Sequence, residues 1–152
     1  MKTDADYMKL AISEAEKALL IDEVPVGAII LDDKHNVIGS GHNQAISLND
    51  PTGHAEILAL RMAAQNINNY RLINTTIYVT IEPCVMCMSA IIHARVKRLV
   101  FGADDPKWGG AGSLYDFSSD KRLNHNIETC GGILKNETSD MLKDFFKNKR
   151  SK

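Results

Sequence analysis

The sequence predicts an α/β fold, a three-layer α/β/α sandwich around a central five-stranded mixed sheet. Two observations carry that reading. Strand-like and helix-like patterns alternate along the chain, which puts helices on both faces of one sheet. The first two strand patterns are joined by a short turn and the third and fourth by a helix, so antiparallel and parallel pairs must coexist. At 152 residues and 44% hydrophobic composition, the chain can bury one substantial core and not two comfortable ones, so residues 1–152 read as a single domain.

Met8, Ala11, Ile12, Ala15, Ala18 and Leu19 recur at helical spacing, which predicts an amphipathic helix from about Asp6 to Leu20 lying across the sheet. Ala28 to Leu31 and Val37 to Ser40 read as a hairpin whose turn, Asp32 to Asn36, is rich in residues that tolerate turn geometry. Ala55 to Gln65 is apolar on most sides and predicts a buried helix. Thr76 to Ile81 is β-branched and aromatic, hence a central strand. With the apolar helix Cys84 to Ala94 and the strand Arg98 to Phe101 it forms a β-α-β unit. A glycine-rich loop, Gly102 to Gly112, leads toward a last strand, Ile127 to Cys130, and a C-terminal helix from about Ser139 to Lys149, whose apolar face is Leu142, Phe145 and Phe146. No internal repeat or low-complexity tract interrupts this order.

The N-terminus lacks a basic segment leading into an apolar run, and no stretch approaches the roughly 20 apolar residues that span a bilayer, so the expectation is a cytoplasmic protein with no membrane contact. Three cysteines do not make a disulfide framework, and a reducing compartment suits thiolate ligands. Cys130 reads as a buried small hydrophobe. The net charge of −1 is uninformative, but its distribution is uneven: residues 1–40 carry four Lys against eight Asp or Glu, and residues 143–152 carry five Lys or Arg against Asp144 alone. A basic C-terminal end can meet phosphates or simply be a solvated tail.

The chemistry concentrates in His54-Ala55-Glu56 and Pro83-Cys84-Val85-Met86-Cys87. Pro83 suits a helix start, which puts Cys84 and Cys87 on one face of the first turn, where the helix dipole favours thiolate. Two core cysteines three apart, or a redox pair, are the other readings of C-x-x-C. His54 follows the turn Asp50-Pro51-Thr52-Gly53 and also belongs at a helix start. Two such starts can converge where strands end. One imidazole and two thiolates leave a fourth tetrahedral position open on zinc, which implies catalysis rather than scaffolding. Glu56, two residues from His54, points elsewhere than the metal yet can reach a water beside it and shuttle protons; alone, it would be a first-turn acid favoured by the dipole. His42 and Asn43 follow a strand and are expected at the same crevice, and the Asn43 amide can both donate to and accept from a nucleobase or ribose. His35 and His93 read as plain polar positions.

Those residues resemble the H-x-E and P-C-x-x-C signature of the zinc-dependent nucleoside and nucleobase deaminases, the cytidine/deoxycytidylate deaminase superfamily. Within it the chain is similar to the bacterial branch that makes inosine at the tRNA wobble position. The likeness spans nearly the whole chain and includes Glu23 to Ala28, Asn49 to Thr52, Asn69 to Leu72, Leu99 to Lys107 and Phe145 to Arg150. It implies the cytidine deaminase-like form of the fold, with one zinc per subunit on His54, Cys84 and Cys87. It also implies attack by zinc-bound hydroxide on adenine C6, while Glu56 protonates N1 and then the departing amino group. Asn43 and the Ala55 backbone would hold the flipped base between Val26 and Pro83. Asp104, Asp105, Lys107, Phe145, Phe146 and Arg150 match positions lining an RNA groove for a tRNA anticodon stem-loop, and the groove would be completed in a homodimer. Three departures stand out: Gly53 replaces alanine, Trp108 replaces a small residue, and Met88-Ser89 replace Ala-Gly near the dimer contact. The zinc signature alone leaves a free nucleobase or nucleoside, of guanine or cytosine type, as an alternative substrate. A zinc-stabilised RNA-binding subunit without turnover is the remaining alternative, and Glu56 argues against it because the metal does not need that carboxylate.

Overall fold

A reciprocal cap starts the first helix, α1 (Asp4–Leu20), two residues before the predicted Asp6. The Thr3 hydroxyl accepts from the Asp6 N–H at 3.3 Å, and the Asp6 carboxylate accepts from the Thr3 N–H at 2.8 Å. The computed structural model describes residues 1–151; Lys152, part of the basic C-terminal run, lies outside them. The remaining elements are β1 (Gly27–Leu31), β2 (Val37–His42), α2 (Ala55–Ile67), β3 (Thr76–Ile81), α3 (Val85–His93), β4 (Arg98–Ala103), β5 (Glu128–Cys130) and α4 (Lys135–Arg150).

The five strands form one open mixed sheet in the order β2-β1-β3-β4-β5. β1 runs antiparallel to β2 and β3, whereas β3, β4 and β5 are parallel. Every residue of β1 is buried, because its alternate side chains enter two cores. Ala28 and Ile30 join one core with α2 and α3; Ile29 and Leu31 join the other with Tyr7, Met8 and Ala11 of α1. α4 lies on the α1 face, where the Thr138 hydroxyl accepts the Ala103 N–H at 3.0 Å beside Gly102. Cys130 packs partly buried against the α1-side core. Among the described residues no helix is long and apolar enough to cross a membrane.

α2 sits unusually close to the sheet. Its stripe Ala55, Ala59 and Ala63 is fully buried, and a Cβ on Gly39 or Gly41 of β2 would lie 2.5 Å from the Ala59 carbonyl oxygen or 2.6 Å from that of Ala55. Small residues on both sides thus fix the depth at which α2 begins. α4 starts four residues before the predicted Ser139. Leu134, its N-cap, adopts a left-handed conformation (φ 53°) and supplies no capping side chain, so the sequence carries no start signal there.

The topology gathers one end of the sheet. Because β1 is antiparallel to β3, the Gly27 N–H donates to the Thr80 hydroxyl at 3.1 Å near the end of β3, and the Asn43 N–H just past β2 donates to the Val26 carbonyl at 3.0 Å. Val26, Asn43, the segment after β3 and the segment after β4 therefore converge beyond the carboxyl ends of the parallel strands, the place where α/β sheets bind ligands.

Candidate active site

His54 and Cys84 occupy matching positions, each the N-cap of its helix with extended backbone (φ −79°, ψ 155° and φ −70°, ψ 172°), and neither side chain caps the helix. Cys84 thus stands one residue ahead of the predicted first turn, while Cys87 lies within it and is fully buried. Both N-cap side chains are free to turn toward each other. His54 Nδ1 lies 3.6 Å from Cys84 Sγ and 3.5 Å from Cys87 Sγ. Zinc–sulfur bonds near 2.3 Å and zinc–nitrogen bonds near 2.0 Å at tetrahedral angles place nitrogen and sulfur roughly 3.5 Å apart. The three donor atoms are the one group of its kind among the described residues, and their spacing fits zinc with the fourth position left over.

The electrostatics fit a cation as well. Hydrogen bonds from Cys87 first, and from His54, pull the Cys84 thiol down to about 4. Cys87 is pushed far above the usual thiol range, by its hydrogen bond to Cys84 and then by burial. The hydrogen bond to Cys84 also raises His54. The three donors are thus coupled, with Cys84 the group most disposed to be a thiolate, and a metal that binds thiolates must displace the remaining protons. Glu56, only 3% exposed, sits against this cluster without belonging to it. Burial raises its carboxyl to about 7, and the neighbouring Cys84 charge adds to that.

A cavity of about 940 Å³ opens over these groups, lined by Val26, Asn43, His54, Ala55 and Glu56 on one side and by Asp104, Asp105, Lys107, Trp108 and Phe146 on the other. Asn43 Oδ1 is buried and has no hydrogen-bond partner. A buried carbonyl left so is an acceptor waiting for a ligand. Pro83 is buried behind the cavity rather than in its wall, and its carbonyl accepts from the Gly110 N–H at 2.8 Å. Phe145 turns into the protein, 9% exposed and edge-on to Phe146, and Arg150 is exposed near the end of α4, away from the cavity lining. His42 does not face the crevice; its Nδ1 lies 3.5 Å from Glu14 of α1. His35 stacks on Tyr7.

The three departures have local explanations. Gly53 is buried, and a Cβ there would lie 3.1 Å from the Asp50 carbonyl oxygen, so the turn before His54 closes tightly around the glycine. Met88 is fully buried and packs beneath Gly110, inside its own subunit, while Ser89 is exposed. Trp108 is 63% exposed on the cavity rim.

Sequence reasoning missed two acids, Glu23 and Glu82, each 1% exposed. Glu23 accepts from the Ile46 and Ser47 N–H groups at 3.3 and 2.7 Å, tying down the loop after Asn43. Glu82 accepts from the N–H groups of Asp105, Ala111 and Ser113 at 3.1, 2.9 and 3.0 Å and from the Ser113 hydroxyl. It pins the loop that forms the far wall. The available signal was an acid between an apolar strand and Pro83, where solvent exposure was implausible.

Residues 1–103 match the family model described as the cytidine and deoxycytidylate deaminase zinc-binding region. A tRNA-specific adenosine deaminase of Haemophilus influenzae is 51% identical over 147 residues, covering 97% of this chain and 85% of the relative. A solved structure from biochemical and structural studies of A-to-I editing by tRNA:A34 deaminases superposes with a TM-score of 0.86 at 41% identity, covering 90% of this chain and 98% of that one. A guanine deaminase from Nitrosomonas europaea shares the fold (TM-score 0.83) at 20% identity, covering 95% of this chain and 85% of that one. Fold likeness therefore extends to a protein named for a different substrate, whereas the identities of 51% and 41% are to tRNA adenosine deaminases. The chain belongs to the zinc-dependent cytidine and deoxycytidylate deaminase family, in its tRNA-specific adenosine deaminase branch.

Proposed function

We propose that residues 1–152 work as one zinc-dependent deaminase domain that converts adenosine to inosine at the wobble position of tRNA, with water consumed and ammonia released. The observation that carries this reading is a three-donor cluster with a buried carboxylate beside it, in a chain 51% identical to a tRNA-specific adenosine deaminase. His54 Nδ1 and the sulfurs of Cys84 and Cys87 would hold zinc, which when bound lowers the pKa of water from 15.7 toward roughly 7 and so supplies a nucleophile at neutral pH.

Glu56 does the proton work. Its carboxylate accepts one proton of the attacking water and delivers it to adenine N1, then takes the proton of the new C6 hydroxyl and passes it to the amino group, so that the C6 carbonyl forms as ammonia leaves. A carboxyl near neutrality can do both, and burial is what puts it there. The Asn43 amide, with its unsatisfied Oδ1, orients the base together with the Ala55 backbone, and Val26 supplies an apolar wall. Pro83 sets the entry of α3 behind that wall. Lys107, Asp104, Asp105 and Phe146 meet the anticodon stem-loop at the cavity mouth, and Phe145 and Arg150 fix and extend the same surface along α4. The working form is a cytoplasmic homodimer in which the neighbouring subunit completes the groove. A reducing compartment keeps the thiolate ligands available.

The test is inosine formation in a short anticodon stem-loop with adenosine at the wobble position. The protein is compared with its Glu56→Ala variant, and free adenosine, guanine and cytosine are supplied in parallel. Inosine in the RNA, dependent on Glu56, is the expected result. Ammonia released from a free base with the RNA untouched would leave the zinc chemistry standing and remove the tRNA assignment.

A further inference from the structure

We propose that the Trp108 indole is a stacking platform for a nucleotide flanking the one that reacts, in the single-stranded RNA loop that this site takes; the proposal rests on the tRNA reading above. Trp108 is the one tryptophan of the chain. A large apolar ring is normally placed where it can be buried, yet this one is 63% exposed on the rim of the cavity that contains His54 and Glu56. Among the described residues it makes no ring contact and joins neither core. Among the described residues no ring or cation stacks on its faces.

The backbone beneath the ring is fixed. The Trp108 N–H donates to Asp105 Oδ1 at 3.3 Å, and the Gly109 N–H donates to the Asp105 carbonyl at 2.8 Å. Gly109 forms an antiparallel bridge with Cys84. The indole is therefore carried one residue from a backbone that touches a metal-ligand position, on a loop whose other amides are held by Glu82. An exposed ring on a tethered loop is pre-organised, so little ordering is lost when a base stacks on it.

The surroundings select nucleic acid. Lys107 and Lys143 line the same cavity and have no carboxylate partner among the described residues, whereas the acids at its mouth are engaged, Asp104 with Lys135 at 3.5 Å and Asp105 with the N–H groups of Lys107 and Trp108, so two cations are left for phosphates. The cavity, about 940 Å³, is at the top of the roughly 300–1,000 Å³ range that encloses a whole drug-sized molecule, more than one flipped base requires. Every base presents a π-face, so such a platform binds a neighbour without dictating its identity.

A single tryptophan makes the test direct, because emission excited at wavelengths beyond tyrosine absorption reports on Trp108 alone. Zinc-loaded protein is titrated with the wobble-adenosine stem-loop, and with versions in which each nucleotide flanking that adenosine is made abasic, while inosine is measured in the same samples. The expected result is quenching by the intact RNA that one abasic replacement abolishes. Trp108→Ala should raise KM by about 5- to 100-fold with kcat little changed, and Trp108→Phe should recover most of that loss. Inosine formed with no change in emission, or an unchanged KM in Trp108→Ala, overturns the stacking role and leaves the tRNA reading intact. No inosine from the unsubstituted protein overturns both.

Discussion

At the scale of single residues, the site is built by breaking a local rule twice. N-cap positions favour side chains that bond the helix's free N–H groups, and replacing such a cap typically costs about 1 kcal/mol. His54 and Cys84 stand at N-caps and make no such bond. Local conflicts of this kind belong at functional sites, where a ligand supplies the compensation. Glu56 and Cys87 touch the same small volume and should nevertheless separate cleanly. Cys87→Ser should lose zinc, read by metal analysis after dialysis, and with it the stabilisation that zinc gives in denaturant titrations. Glu56→Gln should retain zinc while kcat falls roughly 10²- to 10⁴-fold, the usual contribution of a positioned acid or base. Loss of zinc from Glu56→Gln would make the carboxylate a ligand and end its role as shuttle. That His54, Cys84 and Cys87 come together, with Glu56 buried beside them, was legible in the sequence because residue type and spacing encode such a cluster. His42 was not, because a position just past a strand does not say which way the ring turns; it turns to Glu14.

Between elements, α1 is fastened to the sheet by its first residue. Arg98 of β4 donates to both oxygens of Asp4 at 2.9 and 2.7 Å, and the Tyr78 hydroxyl of β3 donates to Asp4 Oδ1 at 2.7 Å. The Arg98 hydrogen bond, foremost, holds the Asp4 carboxyl below its ordinary value, while burial raises the Tyr78 phenol and its bond to Asp4 adds to that. A carboxyl depressed in the folded state contributes its stability in full above the unfolded value near 3.9 and loses it as pH falls through the lower folded value. Asp4→Asn should therefore unfold at lower urea near neutral pH, by about 1–2 kcal/mol after allowance for partial exposure, with the gap from the parent protein closing as pH falls below the unfolded carboxyl value near 3.9. A gap independent of pH would assign the loss to packing instead. The same element shows where sequence reading stops. The Thr3–Asp6 cap was present as residue types, but only apolar periodicity was used to place the helix start. At α4 even that was missing, since Leu134 enters the helix through a left-handed turn without a polar cap.

For the molecule as a whole, a mixed sheet supplies what no single element could. The antiparallel pairing of β1 brings Val26 and Asn43 to the end where parallel β3 and β4 release Cys84 and Asp104. Alternation of strand and helix patterns made the layers and the mixed pairing readable from the sequence. Strand order, and with it the identity of the cavity wall, depends on long-range contacts that no local pattern states. The far wall illustrates the difference, for it is irregular chain held by the buried carboxylate of Glu82. Three amides and a hydroxyl converge on that one group, and a carboxylate has acceptor sites for all of them whereas an amide has a single acceptor oxygen. Glu82→Gln should thus leave at least one buried donor unmatched, with a cost of about 1–3 kcal/mol, felt first in the loop. Hydrogen exchange at Asp105, Ala111 and Ser113 should accelerate more than exchange in β3, and KM for RNA should rise while zinc content stays unchanged, because the proposed ligands His54, Cys84 and Cys87 are positioned by the starts of α2 and α3. If those three amides keep their protection in the variant, the loop is held by its own turns, and Glu82 has no positioning role at the site.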